Sequence, residues 1–212
     1  MKFHHVAIEG SIGVGKSALA ERLGVRLDAE VVLDGTDNPF LGDFAAGHPG
    51  AAFQAQLFSL LARHRQQVEL RQSNLFNQQT VSDYLFDKDK IYAYLNLDDN
   101  ELFIYQRLYN LLIADVVSPD LVIYLQIPTD ALQRRIRSRD RDYRENGETP
   151  PDSEYLRELN EAYNHFFFHY SSTPLLVVET SHIDLEWGET AIDDLLKQVG
   201  NMSHGNRYYV PR

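Results

Sequence analysis

The stretch Gly10-Ser11-Ile12-Gly13-Val14-Gly15-Lys16-Ser17 decides the fold. It satisfies the pattern G-x-x-x-x-G-K-[ST] at each fixed position. Val6-Ala7-Ile8 before it is short and apolar and reads as a buried strand. After it, Ala18, Leu19, Leu23 and Leu27 recur at helical spacing. Strand, glycine loop and helix together form a phosphate cradle. Glycines let the backbone turn tightly and aim several N–H groups at one anion. The helix N-terminus adds a favourable field. Lys16 is expected to reach the β- and γ-phosphates of a nucleotide, and the Ser17 hydroxyl to ligate Mg²⁺.

Working outward, strands and helices alternate. Strands are expected over 3–9, 30–33, 78–84, 121–127 and 175–179. Helices are expected over 16–28, 51–72, 90–97, 99–117, 129–139, 153–170 and 188–199, with Asp98 or Asp99 as an N-cap. The alternation predicts an α/β fold of the P-loop kinase type, with about five parallel strands, helices on both faces and an arginine-rich lid. Residues 1–199 read as one domain. Residues 200–212 lack apolar periodicity and read as a tail free to move. Ligands are expected beyond the carboxyl ends of the strands, where the phosphate loop, Asp34 and Asp83 fall.

Composition narrows the function. The 212 residues carry a formal net charge of −11, which argues against a nucleic-acid polymer as partner. The chain has no cysteine, so disulfides, thiolate zinc sites and a cysteine nucleophile are excluded. No apolar run reaches membrane-spanning length and no signal-peptide pattern opens the chain, so a cytoplasmic enzyme is expected. The six arginines at 134, 135, 137, 139, 141 and 144 stand out in so acidic a chain. They suggest a lid that neutralises charge on a transferred phosphoryl group. For any one of them, a solvated helix face with i,i+4 pairing is an equal alternative.

Asp83 closes an apolar strand, where a carboxylate can take a proton from a substrate hydroxyl or hold Mg²⁺ through water. The competing reading is a turn or cap residue. Gln56 and Arg63 are two helical turns apart on one face and could meet a nucleobase edge, although ordinary surface polarity explains them as well. His165 and His169 are spaced for a metal but lack a third ligand, and read as helix-packing residues. No G-x-S-x-G elbow supports a serine hydrolase.

Together these residues resemble the deoxynucleoside kinase family, in its bacterial deoxyguanosine/deoxyadenosine kinase branch, over roughly residues 3–185. The resemblance rests on Ile8-Glu9-Gly10 leading into the phosphate loop, Asp37-Asn38-Pro39-Phe40-Leu41, Gln56 with Arg63, Ser82-Asp83-Tyr84 followed by Lys88, and Arg135-x-x-x-Arg139-x-Arg141 with Tyr155-Leu156 downstream. It implies a homodimer that moves the γ-phosphate of ATP, with Mg²⁺, to the 5′-hydroxyl of a deoxyribonucleoside for nucleotide salvage, with a purine preferred.

The resemblance makes Asp83 the general base and Arg135, Arg139 and Arg141 lid arginines, Arg139 also contacting ATP. Gln56 pairs with the base, while Arg63 and Asp89 disfavour thymine. Asp34, Tyr92 and Glu145 complete the substrate set. The chain departs from the family where relatives carry a tyrosine for the 3′-hydroxyl, since Ala45 stands at that place. The lid is also longer, and the family's glutamate position falls at Arg144, beside Glu145. A thymidylate-type kinase is the runner-up, but it would need Asp-Arg where Asp83-Tyr84 stand. A nucleotide-binding module without turnover is the third reading. It would be expected to lose Lys16, Asp83 or the lid arginines, all of which are present.

Overall fold

The computed structural model describes residues 3–35, 37–73, 79–139, 150–183 and 187–211. Along the chain the elements begin with β1 (His5–Gly10), α1 (Lys16–Leu27), β2 (Glu30–Val32), α2 (Leu41–Ala45), α3 (Ala51–Ser73), β3 (Thr80–Ser82), α4 (Lys88–Asn96) and α5 (Asp99–Leu112). They continue with β4 (Leu121–Gln126), α6 (Thr129–Ser138), α7 (Ser153–Phe168), β5 (Leu175–Glu179), α8 (Glu189–Gly200) and β6 (Asn206–Tyr209).

β1 is buried at all of its positions, as a central strand covered on both faces must be. It pairs in parallel with β3 on one side and β4 on the other. The order is β2-β3-β1-β4-β5-β6, parallel throughout. The α/β expectation therefore holds, with six strands in place of about five. The added strand lies in the segment read from sequence as a tail. Asn206-Arg207-Tyr208-Tyr209 is polar and mostly exposed, which an edge strand tolerates, so no apolar pattern announces it.

The described chain forms two compact units. One comprises Met1–Leu33, Gln78–Leu85 and Pro119–Arg212, and the other Asp34–Asn77 and Phe86–Ser118. The first holds the sheet, with a core around Ile8, Leu19, Leu23, Ile123, Leu176 and Leu195. The second is helical, and Leu60, Phe86, Ala93, Tyr105 and Tyr109 form its core.

Most boundaries follow the sequence reading. The helix expected over 99–117 ends at Leu112 and tightens into a 3₁₀ turn, Ile113–Asp115. The short α2 has no apolar periodicity to signal it, because none of its residues is buried. His165 and His169 do not pack the helix. Both are exposed, His165 in the last turn of α7 and His169 as its C-cap, with ring centroids 4.8 Å apart.

Asp98 is the N-cap of α5. Its side chain accepts the Asn100 and Glu101 N–H groups at 2.9 Å each, and Glu101 answers with a bond to the Asp98 N–H. Replacing Asp98 with alanine is expected to cost about 1 kcal/mol. In a chain of this length that lowers Tm by about 2–4 °C in a thermal melt.

Candidate active site

The phosphate loop leaves the carboxyl end of β1 and enters α1. Two of its glycines are sterically obligatory. Gly10 has φ +156°, and a Cβ there would lie 2.7 Å from the Leu125 carbonyl oxygen. Gly13 has φ +77°, and a Cβ there would lie 2.5 Å from Ile136 Cδ1. The loop therefore lies against β4 and α6; at Gly10 a side chain would meet backbone, whereas at Gly13 it is the positive φ, more than the movable end of Ile136, that requires glycine. Gly15 is the N-cap of α1 and supplies no side-chain cap, so the first-turn N–H groups are not bonded by a capping side chain. Ser11, Ile12 and Val14 complete the loop, with Ser11 and Val14 buried. Lys16 Nζ donates to the carbonyls of Gly10, at 2.9 Å, and Ser11, at 3.0 Å.

β3 is the neighbour of β1, with Ala7 opposite Ser82. The turn leaving β3 consequently stands beside the phosphate loop, and Ser17 Oγ donates to Asp83 Oδ2 at 2.5 Å. The turn is held from several sides. The Asp83 N–H bonds the Val32 carbonyl at 3.1 Å. Ser82 Oγ donates to the Tyr84 carbonyl at 2.9 Å and lies 3.1 Å from His5 Nε2. The serine has given its only proton to Tyr84, so His5 Nε2 carries the hydrogen of that contact.

In the helical unit, a second group of candidates comes together. Arg63 Nε donates to Asp34 Oδ1 at 2.7 Å and Nη2 to Asp34 Oδ2 at 3.1 Å, while Nη1 bonds Asp89. Gln56 Nε2 reaches the Asp89 carbonyl at 3.0 Å and Oδ1 at 3.2 Å. Lys88 Nζ also bonds Asp34. Burial alone would raise the Asp34 carboxyl, but Lys88 and then Arg63 hold it well below the usual carboxylate range. Burial opposes charge on Arg63, but Asp89 and Asp34 outweigh it and keep the guanidinium protonated. Tyr92, one turn on from Asp89 along α4, adds to the same field on Arg63. Two cations and two carboxylates thus balance in a buried cluster.

The arginines of α6 divide. Arg134 pairs with Asp130 at 2.7 Å on the exposed face, the i,i+4 alternative. Arg135 Nη2 donates to the Thr180 and Ile183 carbonyls, so it ties α6 to the loop after β5. Arg139 is the exposed C-cap residue of α6. Arg141, Arg144 and Glu145 lie outside the described residues. Ala45 is exposed at the end of α2.

A family model for deoxynucleoside kinases matches residues 6–204. The chain belongs to the deoxynucleoside kinase family. A deoxyguanosine kinase of Bacillus subtilis (strain 168) is 32% identical over 163 residues, covering 74% of this chain and 75% of the relative. A deoxyadenosine/deoxycytidine kinase of the same organism is 25% identical over 221 residues, covering 98% and 99%. Among solved structures, a deoxyadenosine kinase from M. mycoides with dCMP and dCDP bound superposes with a TM-score of 0.74 at 25% identity, covering 93% of this chain and all of that one. As a deoxynucleoside kinase, the protein is a phosphotransferase, with the P-loop kinase fold of these neighbours.

Sequence reasoning gives no role to three residues that contact the candidate groups, although Lys88 stands in the quoted family motif. Lys88 shares Asp34 with Arg63, and its signal was a lysine in the first turn of a helix, where the dipole disfavours it. The indole N–H of Trp187, a residue with φ +48°, donates to the Gly15 carbonyl at 3.2 Å. No pattern distinguishes a lone aromatic in a loop. His5, inside the strand expected over 3–9, carries no motif that marks it.

Burial pushes His5 down to about 4, against a smaller opposing pull from Asp120. Its Nδ1 meets no hydrogen-bond partner among the described residues, so a second ring proton has no acceptor. In the unfolded chain the imidazole titrates near the usual ~6.5. The unfolded state therefore gains a proton first on acidification, and stability drops as pH falls from about 6.5 towards 4. Asp34 loses its share only further down, below about pH 4. Urea unfolding at pH 7 and pH 5 should show a loss of about 2 kcal/mol from His5. His5→Asn should flatten that difference, and an unchanged difference would reject the assignment.

Proposed function

We propose that the protein transfers the γ-phosphoryl group of ATP to the 5′-hydroxyl of a purine deoxynucleoside, giving the monophosphate for salvage. The observation that carries this reading is the contact of Ser17 with Asp83. It sets a proton-accepting carboxylate beside the cradle for the phosphate donor. Asp83 takes the proton of the 5′-hydroxyl as its oxygen attacks the γ-phosphorus. The loop N–H groups, Lys16, Arg139 and Arg141 neutralise the charge that spreads over the phosphoryl oxygens and the ADP leaving group.

Mg²⁺ suits the same place. Ser17 Oγ and Asp83 Oδ2 are adjacent hard oxygen donors, and Mg²⁺ takes one or two protein ligands with the rest from phosphates and water. When bound, the ion supplies charge neutralisation of the phosphates.

Gln56, Arg63 and Asp89 read the base. A buried amide and a carboxylate next to a guanidinium offer both donors and acceptors, which suits adenine, guanine or cytosine and leaves thymine poorly matched. The names of the B. subtilis deoxyguanosine kinase and the M. mycoides deoxyadenosine kinase favour a purine. Asp34 serves the sugar end with Tyr92 and Glu145.

The kinase works as a cytoplasmic homodimer. Phe103, Ile104 and Leu111 lie exposed on α5 at helical spacing, 60%, 53% and 74% accessible, and a second copy would cover them. No helix among the described residues is long and apolar enough to cross a membrane.

Purified protein with ATP and Mg²⁺ should phosphorylate deoxyguanosine or deoxyadenosine and leave thymidine nearly untouched. Efficient thymidine turnover would overturn the base assignment. Asp83→Asn should lower kcat by about 10²–10⁴-fold with nucleotide affinity little changed. Lys16→Ala should abolish turnover without altering the circular dichroism spectrum.

A further inference from the structure

Glu9 is the last side chain of β1 before the phosphate loop and is 0% exposed. Its Oε1 accepts the Gly10 N–H at 2.9 Å and the Tyr163 hydroxyl at 3.2 Å, and its Oε2 accepts the Leu85 N–H at 2.8 Å. The mechanism above gives it no task. A buried carboxylate is costly to fold, and a negative charge beneath a polyphosphate cradle opposes donor binding. Neither packing nor nucleotide affinity accounts for an acid at this position.

The two backbone donors belong to different working parts. Gly10 opens the phosphate loop, and Leu85 lies two residues beyond Asp83 in the turn after β3. Glu9 lies between them, with one oxygen on each. We propose that Glu9 is a positioning residue that fixes the separation between the phosphate loop and the Asp83 carboxylate, and hence between the transferred phosphoryl group and its base. Only a carboxylate fits this bridge. It presents an acceptor in both directions, whereas the amide of glutamine would set an NH₂ group against one backbone N–H. Aspartate is too short to span both donors. Register supports the assignment. β1 and β3 are paired only through His5–Ala7 and Thr80–Ser82, so beyond Ser82 the ladder no longer holds the turn to β1, and the Glu9 bond to Leu85 continues that tie.

The inference rests on Asp83 acting as the base, and its test separates the two claims. Glu9→Gln and Glu9→Asp are compared with wild type and with Asp83→Asn in steady-state kinetics and in direct binding of a non-hydrolysable ATP analogue. Reacting groups displaced by about 1 Å lose about 10²-fold in rate. Glu9→Gln is therefore expected to lower kcat by about 10–100-fold, with analogue affinity and deoxynucleoside KM held within about threefold. Tyr163→Phe removes the third donor but leaves both backbone bonds, and should lose far less. Should Glu9→Gln fail to fold, Glu9→Asp decides by the same split. A kcat near wild type, or a fall in nucleotide binding that parallels the fall in kcat, overturns the role of Glu9. If Asp83→Asn is inactive while both Glu9 variants turn over normally, only the Glu9 inference falls. If Asp83→Asn is also active, the assignment of the base falls with it.

Discussion

The parallel pairing of β1 with β3 is the constraint on which the site depends. Two parallel strands end on the same side of a sheet, so whatever follows each one is brought to the same edge. Here the phosphate loop follows one strand and Asp83 the other, and the register that sets Ala7 against Ser82 brings the Ser17 hydroxyl to the Asp83 carboxylate. Neither residue is far from a rigid ladder. Loops alone would leave both groups free to drift, whereas here the strands fix the phosphate loop and Asp83 relative to each other by backbone geometry. His5, Ser82 and Glu9 reinforce the last few ångströms where the ladder stops.

The helical unit solves a different problem. Its polar cluster buries four charged side chains, and each is stable only because of the others. Arg63 links Asp34 to Asp89, Lys88 doubles the positive charge on Asp34, and Gln56 bonds the Asp89 carbonyl and the carboxylate oxygen that Arg63 also takes. Removing Arg63 takes from Asp89 the cation it pairs with and leaves Asp34 with Lys88 alone. Such a cluster is rigid before any ligand arrives, which suits discrimination between bases by unsatisfied hydrogen bonds. Burial also holds the Tyr105 phenol above its ordinary range, with the Asp89 charge adding to the effect, so Tyr105 stays protonated next to the cluster.

What could be read from sequence followed from repetition and from fixed spacing. β1, α1, β4 and β5 are continuous apolar runs or periodic ones, and the phosphate loop has fixed glycines because its backbone admits nothing larger. Asp83 was legible because it closes an apolar strand. β6 was not, since an edge strand of Asn206, Arg207 and two tyrosines needs its neighbour's hydrogen bonds more than any burial. Arg135 was read as part of a lid from its place among arginines, yet its guanidinium bonds the carbonyls after β5, a partner 45 or more residues away that no local pattern encodes. The same holds for Lys88, Trp187 and Glu9. Each is a single residue whose meaning lies in a long-range contact.

Trp187 carries one more consequence. It is the only tryptophan in the chain, it is 2% exposed, and its indole N–H rests on the carbonyl of Gly15. All indole emission from this protein therefore originates at the start of α1, one residue from Lys16. A change in the polarity or hydrogen bonding of the phosphate loop will alter that emission directly. The protein thus contains its own optical probe of the nucleotide cradle, with no label and no competing signal from another tryptophan.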